Sequence, residues 1–237
     1  MERRVLVTRP EPGATATAAR LREIGLVPVL LPLTRIEPLH AELAVDNTAF
    51  DGLVLTSANA VRMAPPGLLA NVRGLPCYAV GPATAEVAKA AGLKVVLASG
   101  GDARSLSADI VSRLASGARL LYPCGHIRTP MLEDTLEEAG IAVKALEVYD
   151  AKPIDHDSRS LRVRFDNRPL DIAFIHSQRG GALLADILSR PELADLFAGT
   201  IFVSISAKAA EALEGRPVAV AEAPSEQALL ALVKAKV

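Results

Sequence analysis

Small hydroxyl side chains, glycines and arginines recur directly after the short apolar runs of this 237-residue chain. The runs have the composition of β-strands, and ligands of parallel sheets bind at the carboxyl ends of strands, where helix N-termini open. Hydroxyl, amide and guanidinium groups are all hydrogen-bond donors, so the pattern favours binding of a multiply charged anion. It contains no obvious acid–base pair or nucleophile. The segments concerned are residues 8–10, 56–59, 81–84, 123–128, 176–179 and 204–208.

A purely structural interpretation stands beside the functional one for each candidate. Ser and Thr at a helix start most often cap the helix, and Arg is usually solvated at the surface. A tyrosine that ends a strand more often packs than reacts. Both interpretations remain open for Ser57, Ser177, Thr84, Arg9, Arg128 and Tyr149.

The sequence predicts neither a metal site nor a nucleotide cofactor. The histidines are scattered, the two cysteines lack metal-like spacing, and the glycine-rich phosphate-binding motifs are absent. Both cysteines adjoin apolar strand runs, which favours reduced, buried thiols. The residues concerned are His40, His126, His156, His176, Cys77 and Cys124.

Strand-like runs alternate with alanine-rich helical stretches along the chain. This order predicts parallel sheets flanked by helices, the α/β class. Gly25, Gly92 and Gly140 each follow a helical stretch and provide its C-terminal stop. The predicted strands are 4–8, 27–33, 52–56, 77–80, 94–97, 119–122, 142–149, 171–175, 200–205 and 217–221.

Segments of the chain recur out of order. Residues 51–58 return as 171–178, and 78–90 return as 202–214. The opening VLVTRP run returns as LLYPCG from residue 120. Such a duplication predicts two similar lobes facing each other across a cleft, with the second inserted into the first.

The predicted lobe boundaries follow from the two crossings of the chain. One crossing is expected in 34–39, where Pro38 limits central sheet pairing, and the return near Lys152 and Pro153. Lobe one is then 1–36 with 153–237, and lobe two is 37–152, joined by a two-segment linker.

Charge and composition narrow the choice of partners. Twenty-six basic and 27 acidic residues give a net charge of −1 without long blocks of either sign. This argues against nucleic acid or a membrane surface as partner. The start, MERRVLVTRP, is neither a signal peptide nor a membrane span, so we expect a cytoplasmic protein, with a monomer as the default.

The residues resemble the uroporphyrinogen-III synthase family over nearly the whole chain. The resemblance depends on the number and order of motifs rather than on any single one. They are VLVTRP at 5–10, DGLVLTSANAV at 51–61, AVGPATA at 79–85, YPCG at 122–125, VY at 148–149 and APSEQAL at 223–229.

The resemblance implies a cofactor-free lyase of tetrapyrrole and heme biosynthesis with two flavodoxin-like lobes. Its substrate would be hydroxymethylbilane, a linear tetrapyrrole carrying acetate and propionate arms. Loss of the terminal hydroxyl gives an azafulvene, which closes through a spiro intermediate with inversion of the last ring. The pyrroles stabilise the cation, so the protein chiefly has to select a conformer. Transient contact with porphobilinogen deaminase is a further expectation.

The resemblance also assigns roles to individual residues. Tyr149 matches the family's tyrosine in V-Y and would hydrogen-bond the departing hydroxyl. Charge-assisted and hydroxyl contacts to carboxylate arms are expected from Thr84, Ser57, Asn59, Arg9, Arg128, Ser177 and Lys208. Lys208 stands where many members carry a second G-x-T-T-A, which puts the lobe-one contacts in question.

Two other classes remain open at this point. A non-catalytic two-lobed sensor or binding module for a small polyanion would keep the hinge and the hydroxyls without needing Tyr149. A conventional α/β enzyme with a nucleotide cofactor would need a phosphate-binding loop, and the sequence contains none.

Overall fold

The computed structural model describes residues 2–39 and 49–234, which form two compact α/β units. Unit 1 comprises Met1–Arg35 and Lys152–Val237, and unit 2 comprises Ile36–Ala151. In the described part of the chain, no helix has the length and apolar character needed to span a bilayer.

Strands and helices alternate along most of the chain. The strands are β1 Arg4–Val7, β2 Val27–Leu30, β3 Thr34–Pro38, β4 Gly52–Leu55, β5 Pro76–Ala79, β6 Lys94–Ala98, β7 Arg119–Gly125, β8 Ala142–Pro153, β9 Ile172–Ile175, β10 Ile201–Ser204 and β11 Val218–Val220. The helices are α1 Gly13–Glu23, α2 Ala58–Met63, α3 Pro66–Val72, α4 Pro82–Ala90, α5 Ala103–Val111, α6 Met131–Glu138, α7 Ser158–Arg164, α8 Gln178–Leu188, α9 Ala194–Phe197, α10 Ala207–Ala210 and α11 Glu226–Lys234.

Unit 1 is built on a parallel sheet with strand order β2-β1-β9-β10-β11. Successive residues of its strands pack into different apolar clusters. Leu6 contributes to one cluster, whereas Val5 and Val7 contribute to the other. The sheet is therefore covered on both faces, as parallel sheets generally are.

The second sheet has the order β3-β8-β7-β4-β5-β6, and its β8-β7-β4-β5-β6 part is parallel. It belongs to unit 2 except for the first two residues of β3 and the last two of β8. Its strands also alternate between two apolar clusters. Leu53 and Leu55 pack into one, and Val54 packs into the other. Both units thus have a core large enough to hold the strand ends in place.

Repeated sequence segments occupy equivalent strands in the two sheets. Residues 51–58 contain β4, and residues 171–178 contain β9. In its sheet, β4 is the third strand counted from β8, and β9 is the third strand counted from β2. The next strands in order, β5 and β10, begin the second repeated pair. The repeated segments therefore occupy the same positions in the two sheets, but the chain begins at a different strand in each sheet.

The glycine stops were predicted correctly, and the segment expected to hold the first crossing also forms a strand. Gly25, Gly92 and Gly140 have φ values of 76°, 79° and 75°, the left-handed conformation that ends a helix. The crossing is expected in 34–39, and the boundary between the two units lies between Arg35 and Ile36. The sequence analysis did not predict that residues 34–38 form a strand, β3, next to β8. Because β3 is the last strand of its sheet, Pro38 costs no central ladder bond there.

Candidate active site

The carboxyl edge of the unit 2 sheet holds the main candidate, Tyr149. It lies in β8 opposite Gly125, the last residue of β7, and its carbonyl accepts a hydrogen bond of 2.8 Å from the His126 amide. The side chain is partly buried and packs against the apolar cluster that includes Leu146 and Val148.

The phenol of Tyr149 forms a hydrogen bond with a neighbouring hydroxyl. Burial raises the pKa of Tyr149 above the ordinary value of a phenol, and a hydrogen bond with the Ser57 side chain partly offsets this increase. The group is therefore a neutral hydrogen-bond donor at neutral pH. That state suits assistance to a departing hydroxyl.

Ser57 also caps α2, so its two interpretations are compatible. Its Oγ accepts a hydrogen bond of 3.1 Å from the Asn59 amide, as an N-cap side chain does. At the surface, Asn59 Oδ1 accepts a longer hydrogen bond of 3.4 Å from Arg62 Nη1. Ser57 and Tyr149 are thus brought together, with Asn59 in the first turn of the capped helix.

Thr84 lies in the first turn of α4, but it does not cap the helix. The N-cap position belongs to Gly81, and the helix begins at Pro82. The capping interpretation of Thr84 is therefore wrong. The residue is 6% exposed at the end of the sheet where β5 leads into α4. Its predicted contact with a substrate carboxylate remains a prediction.

Arg128 is held by two carboxylates of its own unit. Its Nε donates to Glu133 Oε1 at 2.7 Å, and its Nη1 donates to Glu147 Oε1 at 3.0 Å. The hydrogen bond to Glu133 is the main reason that the pKa of Arg128 is raised. His126 Nδ1 lies 2.7 Å from the other oxygen of Glu147, and this contact lowers the pKa of that carboxyl. Arg128 thus fixes the segment after β7 onto β8.

Arg9 follows β1 at the carboxyl edge of the unit 1 sheet and is also paired. Its Nη1 lies 3.2 Å from Glu226 Oε2 and 3.3 Å from Thr17 Oγ1. Glu226, the first residue of α11, is contacted by Arg20 as well. An incoming carboxylate would therefore have to share Arg9 with an acidic residue of the same unit.

The other unit 1 candidates lie at the starts of helices. Ser177 Oγ caps α8 by accepting a bond of 3.0 Å from the Gly180 amide. Lys208 is exposed in α10, a helix capped by Ser206 through the Ala209 amide at 3.2 Å. Ser177 and Lys208 follow neighbouring strands, β9 and β10, at the same edge as Arg9.

Comparison with known proteins identifies the family. The family model described as uroporphyrinogen-III synthase HemD matches residues 15–231. The chain belongs to the uroporphyrinogen-III synthase family. A sensor or binding module is not favoured by this finding.

Curated and structural relatives of this chain carry the family's name. A uroporphyrinogen-III synthase of Chlorobaculum parvum is 29% identical over 157 residues, which cover 63% of this chain and 64% of the relative, just under two thirds of its length. The crystal structure of uroporphyrinogen-III synthetase from Helicobacter pylori aligns over 100% of both chains with a TM-score of 0.66 and 21% identity. That of a mutant uroporphyrinogen III synthase from Thermus thermophilus aligns over 100% of this chain and 99% of the other, with a TM-score of 0.56 and 19% identity.

Contacts were not predicted for two residues of the candidate segments, Thr56 and His176, and Tyr122 was not among the candidates. The Thr56 hydroxyl lies 2.8 Å from the Tyr122 hydroxyl. Both ring nitrogens of His176 are buried without a hydrogen-bond partner among the described residues. Burial, aided by the nearby charge of Arg9, lowers the pKa of His176 to about 3. Residues 56 and 176 differ by the 120-residue offset of the repeat, so alignment of the repeats marks these positions as equivalent.

A metal centre has no support in the described ranges. There, no group of three or more His, Cys, Asp or Glu side chains could hold an ion. Cys77 and Cys124 are free and buried, and burial raises their pKa values to about 12 and about 11. Neither thiol is therefore a ready nucleophile at neutral pH.

Proposed function

We propose that the chain is a lyase that converts hydroxymethylbilane to uroporphyrinogen III with loss of water and inversion of the last pyrrole ring. The observation that carries this proposal is membership of the uroporphyrinogen-III synthase family over residues 15–231. Tyr149, a partly buried neutral phenol with a hydrogen bond to Ser57, would provide the hydrogen-bond donor for the reaction.

The protein's contribution in this proposal is mainly to select a conformer. The pyrrole rings themselves stabilise the cation formed when the hydroxyl leaves. A flexible chain bearing many carboxylates must be held with its two ends close together, and such orientation lowers the barrier to ring closure. The hydroxyls and cations at the two sheet edges offer contacts for the carboxylate arms: Thr84, Ser57, Asn59 and Arg128 in unit 2, and Arg9, Ser177 and Lys208 in unit 1.

Tyr149 has the chemical role in this proposal. Its phenol donates a hydrogen bond to the terminal hydroxyl, which departs as water while the pyrrole nitrogen loses its proton overall. Because the pKa of Tyr149 is raised by burial, the phenol keeps its own proton between such events. No cofactor is needed for this sequence of steps.

The fold proposal is that each unit is a flavodoxin-like lobe, the second inserted into the first, with lobe boundaries at 1–36 with 153–237 and at 37–152. The strand order β2-β1-β9-β10-β11 supports this, because within unit 1 it reads 2-1-3-4-5 in chain order. The order β8-β7-β4-β5-β6 supports the same architecture in unit 2, entered at a different strand.

We further propose a cytoplasmic monomer that meets porphobilinogen deaminase only transiently. Two free, buried cysteines suit a reducing compartment. Among the described residues, five large apolar side chains are exposed, and scattered apolar side chains of this kind are normal on a monomer. They are Val96, Val111, Ile127, Val163 and Val220.

A coupled assay tests the proposed function. Porphobilinogen deaminase supplies hydroxymethylbilane from porphobilinogen in the presence of this chain, and the products are oxidised and resolved as isomers I and III. We expect isomer III to predominate, and only isomer I when the chain is heat-denatured. Formation of isomer I alone with the folded chain would refute the proposal.

A further inference from the structure

The backbone conformation of Gly125 does not require a glycine at this position. It is buried at the end of β7, and its φ lies outside the left-handed region that favours glycine. By contrast, Gly25 and Gly140 have φ values of 76° and 75° and end helices. The reason for a missing side chain at position 125 must therefore be steric.

Tyr149 fills the space that a side chain at position 125 would need. A Cβ built on Gly125 would lie 2.9 Å from Tyr149 Cζ, 3.0 Å from its Cε2 and 3.0 Å from its hydroxyl oxygen. These are the three nearest atoms, and all belong to the end of the ring that carries the reactive hydroxyl. Carbon atoms do not approach one another this closely without displacement.

A shift in strand register brings the ring to this position. From Arg119 to Cys124, each residue of β7 pairs with the residue 23 positions later in β8, but Gly125 pairs with Tyr149 rather than with Val148. Such irregularities locally redirect side chains and are common next to active sites.

The same irregularity changes the face on which Tyr149 packs. Val143 and Ala145 pack against one apolar cluster, while Leu146 and Val148 belong to the other. Strict alternation would place Tyr149 with Val143 and Ala145, yet it packs with Leu146 and Val148. The ring therefore lies on the face that also holds α2 and Ser57.

We propose that Gly125 is a positioning residue for Tyr149: its missing side chain, together with the register shift, places the phenol beside Ser57. The catalytic half of this inference rests on the proposed function. The steric half does not, because it concerns only the packing of two residues of unit 2. Any side chain at position 125 would displace the hydroxyl.

The first experiment measures the position of the ring without reference to activity. The protein is labelled with ¹³Cζ-tyrosine, and the Tyr149 resonance is assigned by its loss in Tyr149→Phe. We expect Gly125→Ala to shift this resonance. Gly67→Ala is the matched control, since a Cβ at Gly67 in α3 would meet nothing within 4 Å. An unmoved Tyr149 resonance in Gly125→Ala would overturn the proposal.

Melting temperatures keep the steric half testable if Gly125→Ala folds poorly. The substitution should lower the melting temperature of the wild type and of Tyr149→Phe, because both retain the ring. It should have little effect in Tyr149→Ala, which lacks the ring. An equal decrease in all three backgrounds would show that Tyr149 is not the obstacle.

The second experiment measures isomer III formation in a double-mutant cycle. Gly125→Ala should lower turnover by about 100-fold, as expected for a misplacement of about 1 Å. Gly125→Ala/Tyr149→Phe should be no slower than Tyr149→Phe alone, because the displaced group is already missing. A wild-type rate in Gly125→Ala, or additive losses, would overturn the positioning role. If wild type itself forms only isomer I, the proposed function and the catalytic half fail together, while the resonance still decides the steric half.

Discussion

Ser57 has a hydrogen-bonding capacity that matches two tasks at once. A hydroxyl has one donor and two acceptor sites. The Asn59 amide uses one acceptor site at 3.1 Å. Ser57 can then donate its own proton to the Tyr149 oxygen, which leaves the phenol proton available to another acceptor, the terminal hydroxyl of the substrate in the proposed function. The capping bond thus restricts the orientation of the Ser57 hydroxyl.

Substitutions of Ser57 separate capping from its contact with Tyr149. Ser57→Gly should cost only a few tenths of a kcal/mol and Ser57→Ala about 1 kcal/mol, because glycine is tolerated at an N-cap and alanine is not. Both should lower isomer III turnover by about tenfold, the effect of one lost hydrogen bond. Urea unfolding and the coupled assay measure the two quantities. A Ser57→Gly enzyme with full activity would show that only capping matters.

Thr84 can be tested for function directly, because it does not cap α4. Thr84→Val keeps the shape of the side chain but removes its hydroxyl, so we expect weaker substrate binding and a raised KM with a nearly unchanged melting temperature. Thr84→Ser, which retains the hydroxyl, should restore most of the activity. A large fall in melting temperature with KM unchanged would instead assign the hydroxyl a structural role.

His176 should make the fold sensitive to acid. Its pKa is lowered to about 3 in the folded protein from an ordinary value of 6.5. Between these values a falling pH protonates only the unfolded chain. The free energy of unfolding should therefore fall by about 1.4 kcal/mol per pH unit from this group between about pH 6 and about pH 4.

A variant isolates this contribution from the other titrating groups. His176→Thr places at position 176 the residue found at the equivalent position 56 and removes the imidazole. Urea unfolding at several pH values should then show a shallower decline for the variant than for the wild type. Parallel declines would contradict the assignment, whatever the absolute stability of the variant.

Residue identity and neighbouring sequence were enough to predict some side-chain roles. Ser57 and Ser177 cap the helices that follow them, as their positions indicated. The ion pairs of Arg9 and Arg128 were not predictable in this way. Glu226 is 217 residues from Arg9 along the chain, and only the fold brings the two together. The register shift at Gly125 is likewise a property of two paired strands rather than of either one.

At the scale of elements, the ten predicted strand runs all correspond to strands. The strands β1, β4 and β9 are buried throughout, so their largely apolar composition is visible without the structure. β3 was missed because an edge strand carries a weaker apolar pattern and tolerates Pro38. The extension of β8 to Pro153 was missed as well, because Asp150, Lys152 and Pro153 interrupt the apolar pattern.

The connection from β7 to α6 should depend on the Arg128 ion pairs. In Arg128→Ala, Oε1 of the partly buried Glu133 loses its bond to the guanidinium. Its other oxygen, Oε2, has no hydrogen-bond partner among the described atoms even in the wild type. We expect a loss of about 1–2 kcal/mol in the free energy of unfolding. Arg128→Ala/Glu133→Ala should cost less than the sum of the single substitutions, since the uncompensated carboxylate is then absent.

A surface pair provides the control for this cycle. Arg162 donates to both oxygens of Asp195 at 2.8 and 2.9 Å, but this carboxylate is 63% exposed. Arg162→Ala should therefore destabilise the protein less than Arg128→Ala, because water replaces the lost partner. Equal losses in the two variants would show that burial of Glu133 does not contribute.

At the scale of the whole molecule, the duplication explains why the chain has two edges with similar residues. Equivalent strands β4 and β9 are followed by Ser57 and Ser177, and each serine caps the next helix. Tyr149, by contrast, belongs to unit 2. The two units therefore share the arrangement of strand, capping serine and helix, while the proposed chemistry depends on one of them.

Unit 2 is continuous in sequence, and this leads to a prediction about folding. A fragment of residues 34–153 retains β3 to β8 and both apolar clusters of that sheet, so we expect it to unfold cooperatively in urea, as followed by far-UV circular dichroism. A fragment of residues 34–140 should not, because it lacks β8, which lies between β3 and β7 and contributes Leu146 and Val148 to the core.

The fragment of residues 34–153 should form no isomer III, since Arg9, Ser177 and Lys208 are missing. An unfolded 34–153 fragment would show that unit 2 needs unit 1 to fold, and a fragment producing isomer III would remove the unit 1 edge from the mechanism.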